Sequence, residues 1–144
     1  MKRRHAIVLT VLASSTVATL LCSTIVAQNK TDSAQKIQAL LLERRDVLKQ
    51  RLLVLETQLK NGLISALDIV VSARNDLLKA ELALATNKQQ RVELLRQRLK
   101  NFQEFEKYNK ERFDAGQGSF ETDVLLSQAE RIQAQIDLMR EEET

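Results

Sequence analysis

Apolar residues fall on helical spacing along most of the chain, in three stretches separated by two glycine-bearing interruptions. In the first stretch, from Ala34, Leu41, Leu48 and Leu55 recur every seven residues, with Leu40, Val47 and Val54 beside them and Leu52 and Leu59 completing the stripe. A seven-residue repeat keeps one face of a helix turned toward a partner, so this stretch is a coiled-coil seam. Asp32 or Ser33 is placed to cap its start. Asn61-Gly62 is placed to stop it, because Gly enters the left-handed conformation at little steric cost.

Ser65 opens the second stretch with Asp68 three residues on, a spacing close to a capping box and favourable to the helix dipole. Ile64, Val71, Leu78, Ala85, Val92 and Leu99 then hold a single heptad phase, and Leu95 and Phe102 fill the other seam position. Neither Gly nor Pro occurs between Leu63 and Ala115. The pattern favours one continuous helix of about 48 residues, ~72 Å long. Only the polar run from Thr86 to Arg91, where Thr86 and Gln89 match a capping box, opposes continuity. Asp114-Ala115-Gly116-Gln117-Gly118-Ser119 forms the second turn. Beyond it, Leu125, Ala129, Ile132, Ile136 and Met139 alternate steps of four and three, which predicts an amphipathic helix to Arg140. Glu141, Glu142 and Glu143 oppose the dipole at its C-terminus and predict fraying. The expected fold is all-α: long antiparallel coiled-coil helical hairpins, with three helices, or four if the chain breaks near residue 87.

Composition agrees with helices and narrows the chemistry. A chain of 144 residues without Pro or Trp, with three Gly and 3% aromatic residues, lacks the turn and β-branched runs that sheet folds need. Its single His and single Cys are His5 and Cys22. Both lie in an N-terminal segment with a positive start (Lys2, Arg3, Arg4) and an uncharged run over residues 6–27, which reads as a secretory signal cleaved after Ala27. Left uncleaved, that run is long enough to anchor the chain in a membrane. Leu21 stands where a lipidation motif wants a small residue before the Cys, so lipidation of Cys22 is not expected. Residues 28–144 form the expected helical domain, exported to the periplasm or cell envelope, with glycine turns at 61–65 and 114–119.

This domain has no imidazole and no thiol, which excludes a disulfide framework, a zinc finger and Ser-His-Asp or Cys-His catalysis. Glu104 and Glu106 are two apart and diverge on a helix, so they do not form an acid/base pair. No enzyme activity, cofactor or metal is expected. Phe102, Phe105, Tyr108 and Phe113 are expected to thicken the core near the second turn.

Charge removes a further class of partner. The +3 balance of 22 Lys+Arg against 19 Asp+Glu comes wholly from Lys2, Arg3 and Arg4, leaving a neutral remainder and no electrostatic footprint for nucleic acid. Within that remainder, residues 30–112 carry 17 basic and 11 acidic side chains, whereas residues 113–144 carry two basic and eight acidic. The acidic last helix is therefore expected to fold back along Arg91, Arg96, Arg98, Lys100, Lys107 and Lys110. Exposed pairs contribute only ~0.2–1 kcal/mol each, so they set register more than stability.

The two turns also resemble each other. Gly62, Ser65 and Asp68-Ile69-Val70 in the first are matched by Gly116, Ser119 and Asp123-Val124-Leu125 in the second, and the two glycines stand 54 residues apart. A turn entering a helix, repeated in this way, marks duplicated helical hairpins. With Phe113 preceding Gly116, the second copy resembles the turn Phe-x-x-Gly-x-x-Ser/Thr-x-x-Asp-Val-Leu of the outer-membrane efflux protein family (TolC-like). Ser119 and Asp123 are four apart where that pattern has three, and residues 28–144 contain no alternating strand of about ten residues such as a membrane barrel uses. The resemblance thus implies a short form without barrel strands. It also implies that Gly62, Ser65, Asp68, Phe113, Gly116, Ser119 and Asp123 belong to tip turns at the periplasmic end of a helical tunnel, which dock on a second copy or on an adaptor hairpin in efflux. The other reading of the residues is an exported chaperone-like or stress-sensing helical binder that offers an apolar groove.

Overall fold

The computed structural model describes the backbone of residues 12–63, 67–118 and 120–144, with side-chain burial from residue 32 onward in those ranges. Residues 1–11, 64–66 and 119, with Ser65 and Ser119 among them, lie outside the described residues. The protein is all-α: among the described residues there are four helices and no strand. They are α1 (Leu12–Lys60), α2 (Leu67–Leu84), α3 (Lys88–Asp114) and α4 (Glu121–Glu143). None of them, in the described residues, is long and apolar enough to cross a membrane.

The chain divides into two compact units, Met1–Leu40 and Leu41–Thr144. In the first unit the described residues are helical from Leu12 onward. Asp32 and Ser33 lie inside α1 rather than capping it, a departure from the sequence expectation. No Gly or Pro interrupts residues 12–60, and an isolated capping-type residue does not stop a helix whose neighbours continue it.

In the second unit the ion pairs fix an antiparallel order. Arg51 of α1 donates to Asp76 of α2 at 3.1 Å and Arg74 of α2 donates to Glu56 of α1 at 2.7 Å, so one index rises as the other falls. Between α2 and α3, Arg98 Nε donates to Asn75 Oδ1 at 2.9 Å and Asn101 Nδ2 donates to the Val71 carbonyl at 3.1 Å. Between α3 and α4, Arg91 pairs with Glu141, Arg96 with Glu142, Arg98 with Asp137, and Arg131 with Glu106. Three of the six basic residues expected to meet the acidic helix do so. These contacts also hold α4 helical through Glu143, where fraying was expected.

Val71 of α2, Phe102 of α3 and Ala134 of α4 form a buried cluster, with Leu67, Leu99 and Phe105 packed against it. Fully burying a large apolar side chain contributes ~1.5–3 kcal/mol. This cluster therefore outweighs any single exposed ion pair.

The continuous helix favoured by the heptad phase is not what forms. After α2 ends, Ala85 N–H closes a tight turn on the Leu82 carbonyl at 3.2 Å, and Asn87 takes an extended conformation (φ −137°, ψ 159°). Its side chain accepts the Gln90 N–H at 2.8 Å and so caps α3, one residue beyond the expected Thr86–Gln89 box. The break reverses the chain, so Leu78 and Leu95 belong to two helices of one core.

Candidate functional site

Both glycine turns are built from the same hydrogen bonds. At the end of α1, Asn61 N–H donates to Thr57 O, Gly62 N–H to Leu59 O and Leu63 N–H to Gln58 O. At the end of α3, Ala115 N–H donates to Glu111 O, Gly116 N–H to Phe113 O and Gln117 N–H to Arg112 O. Every donor and acceptor in the second set stands 54 residues after its counterpart. This is the Schellman arrangement, which satisfies the last helical carbonyls and requires a left-handed residue. Gly62 and Gly116 supply it at φ 69° and 66°. The helix boundaries follow the same offset, with Lys60 and Asp114 closing α1 and α3 and Leu67 and Glu121 opening α2 and α4.

The second turn has an additional lock. Arg112 donates from Nε and Nη2 to the Gln117 carbonyl at 3.2 and 2.7 Å, and from Nη1 to the Tyr108 hydroxyl at 3.1 Å. Its guanidinium also lies over the Tyr108 ring, 5.3 Å from the centroid. Gly118 is a second left-handed residue there, at φ 71°. Phe120 stands at the N-cap of α4, and its backbone N–H is accepted by Asp123 Oδ2 at 2.9 Å. Asp123 thus serves as the carboxylate of the helix's first turn, where it also meets the positive end of the dipole.

Because the helices are antiparallel, both turns lie at one end of the second unit. A cavity of about 280 Å³ opens there, lined by Asp68 of α2, by Phe105, Tyr108, Asn109 and Arg112 of α3, and by Gly118, Asp123 and Leu126. Asp68 and Asp123 therefore face one space, but they are not counterparts as the turn pattern led one to expect: the 54-residue offset puts Thr122 at the place of Asp68. Gly62, Phe113 and Gly116 are at the same end but do not line the cavity, and Phe113 is exposed rather than thickening the core as expected, unlike Phe102 and Phe105. The buried Asn109 donates through Nδ2 to the Asp123 carbonyl at 3.3 Å and ties α3 to the start of α4.

The roles of Arg112, Tyr108 and Asn109 were not read from the sequence. Arg112 and Tyr108 at a spacing of four, beside a glycine turn, were the available signal. Leu63, Phe113 and Phe120 give this end an exposed apolar surface. Among the described residues no group of His, Cys, Asp or Glu is arranged to hold a metal ion. Compared with family models, curated proteins and solved structures, the chain matches none.

Proposed function

We propose that the protein is an exported, non-enzymatic docking module that works by helix–helix contact, in the manner the resemblance to outer-membrane efflux (TolC-like) proteins implies. The observation that carries this reading is the repeated turn. Two identical sets of terminal hydrogen bonds, 54 residues apart, build one end of the second unit, and Leu63, Phe113 and Phe120 are exposed there. A surface of hydrogen-bonded helix ends with apolar side chains suits the tip of a partner hairpin, such as an adaptor's, and no substrate chemistry is needed for it. In cells, replacing Phe113 and Phe120 together by Ser should abolish co-purification of an efflux adaptor from solubilised envelopes and raise sensitivity to toxic compounds. Recovery of the chain only from the cytosolic fraction, or unchanged sensitivity after deletion of its gene, contradicts the proposal.

A second reading, a chaperone-like binder, draws support from the exposed apolar stripe of α4 at Leu125, Ile132, Ile136 and Met139. Its test is protection of an aggregating client by the purified chain, an effect that a docking module does not produce.

A further inference from the structure

The 54-residue repeat assigns an equivalent to every position in the two hairpins, and the equivalences expose an imbalance. In the first hairpin, α2 uses two faces. Val70, Ala73 and Ala80 are closed on the side that carries Asp76, which pairs with Arg51 of α1. Val71, Asn75 and Leu78 are buried on the side that meets α3. Moved forward by 54, the first face becomes Val124, Ser127 and Ala134, which α4 lays on α3. The second becomes Leu125, Ala129 and Ile132. Those positions are open: Leu125 is 56% and Ile132 43% exposed, against 4% for both Val71 and Leu78.

The complementary surface lies at the other edge of the same unit. On α3, Asn101 and Arg98 receive α2. Moved back by 54, they become Val47 and Arg44 of α1, and Tyr108 becomes Val54. Val47 and Val54 are 62% and 53% exposed, and a shallow hollow of about 570 Å³ lies beside Val47. The inner seam obeys the same offset, since Leu41, Leu48 and Leu55 occupy the places of Leu95, Phe102 and Asn109.

We infer that a second copy of this chain covers the stripe, with α4 of one molecule lying antiparallel on α1 of the next as α2 lies on α3, and Leu125 opposite Val47. Charge favours this pairing. Residues 41–60 carry five basic and three acidic side chains, and α4 carries two basic and seven acidic. An α4–α4 pairing sets like charge against like. The contact is heterologous, so each molecule keeps one free edge of each kind until a ring closes or a filament grows. The inference rests on the docking reading only in taking helix–helix contact as the chain's mode of action, and it names one partner.

The test uses full-length chains in which Cys22 is replaced by Ser, with Val47→Cys and Leu125→Cys placed in separate molecules. Mild oxidation should give a covalent dimer only when the two are mixed. Ile132→Glu should reduce the sedimenting species to a monomer with an unchanged helical circular-dichroism spectrum, because the side chain is exposed within the single molecule. Self-cross-linking of Leu125→Cys alone, absence of any cross-link, or a wild-type monomer at the highest concentration reached each overturns the pairing. A monomer that protects a client from aggregation assigns the stripe to another partner and also overturns it. Failure of the unaltered chain to associate with any adaptor, with the 47–125 cross-link formed, refutes only the function proposed above, and adaptor association without the cross-link refutes only the pairing.

Discussion

The two hairpins of the second unit share their turns and the helix boundaries beside them but differ in what covers α2 and α4. In the first, α2 is closed on both sides, by small residues toward α1 and by Val71, Asn75 and Leu78 toward α3. In the second, α4 is closed on one side only, by Ser127, Ala134 and Leu138, while a second apolar stripe stays uncovered. Ser127 and Ala134 are fully buried, Arg131 and Asp137 pair with α3, and Leu125, Ile132, Ile136 and Met139 remain open. Small side chains let the axes approach, and ion pairs choose the azimuth. The apolar stripe of an amphipathic helix is thus not automatically its intramolecular contact.

The largest expected effect breaks the comparison at its centre. Phe102→Ala removes the side chain shared by α2, α3 and α4 and should cost ~3–5 kcal/mol in a denaturant melt. Leu78→Ala should cost ~2–5 kcal/mol, whereas Ile132→Ala, its equivalent 54 residues on, should change stability by less than about 0.5 kcal/mol at concentrations where the chain is monomeric. Equal losses at 78 and 132 would mean that α4 buries its stripe within the molecule.

Arg98 joins the three helices through Asn75, Asp137 and the Phe102 ring, with its side chain only 11% exposed. Arg98→Ala should cost ~1.5–3 kcal/mol. Arg96→Ala removes a pair exposed on both sides and should cost less than ~1 kcal/mol, vanishing at high salt.

Gly62→Ala and Gly116→Ala test the repeat itself. A Cβ at either position meets no atom within 4 Å, so the cost is purely conformational, ~1–2 kcal/mol, and should be equal at the two turns. At the third reversal, Asn87→Ala removes a cap worth about 1 kcal/mol, a loss to be read in a denaturant melt.

The three reversals show why some of this was legible and some was not. Gly62 and Gly116 announce their turns, because a left-handed backbone position leaves a residue signature. The reversal at residues 85–87 uses no left-handed residue and leaves the heptad phase intact, so periodicity carries straight through it. Asn87 was visible only as part of a polar run. For the same reason the α4 stripe was legible as amphipathic while its partner was not. Spacing reports that a face is apolar but not which neighbour packs on it, and here it is the face of Ser127 and Ala134 that is buried. Asp68 and Asp123 were found through the turn repeat and do converge on one cavity. Arg112 and Tyr108 meet at a helical spacing of four that the sequence displays, whereas Asn109 reaches the Asp123 carbonyl through tertiary placement that no local pattern encodes.

Everything in the second unit depends on α3 turning back along α2. Spin labels at Ser72 and Lys100, both exposed, in full-length protein with Cys22 replaced and diluted in unlabelled chain, measure this directly by pulsed dipolar spectroscopy. With helix axes ~8–10 Å apart, the antiparallel arrangement predicts a narrow distribution within about 20 Å. A peak near 42 Å, the length of 28 residues of uninterrupted helix at ~1.5 Å each, would contradict it.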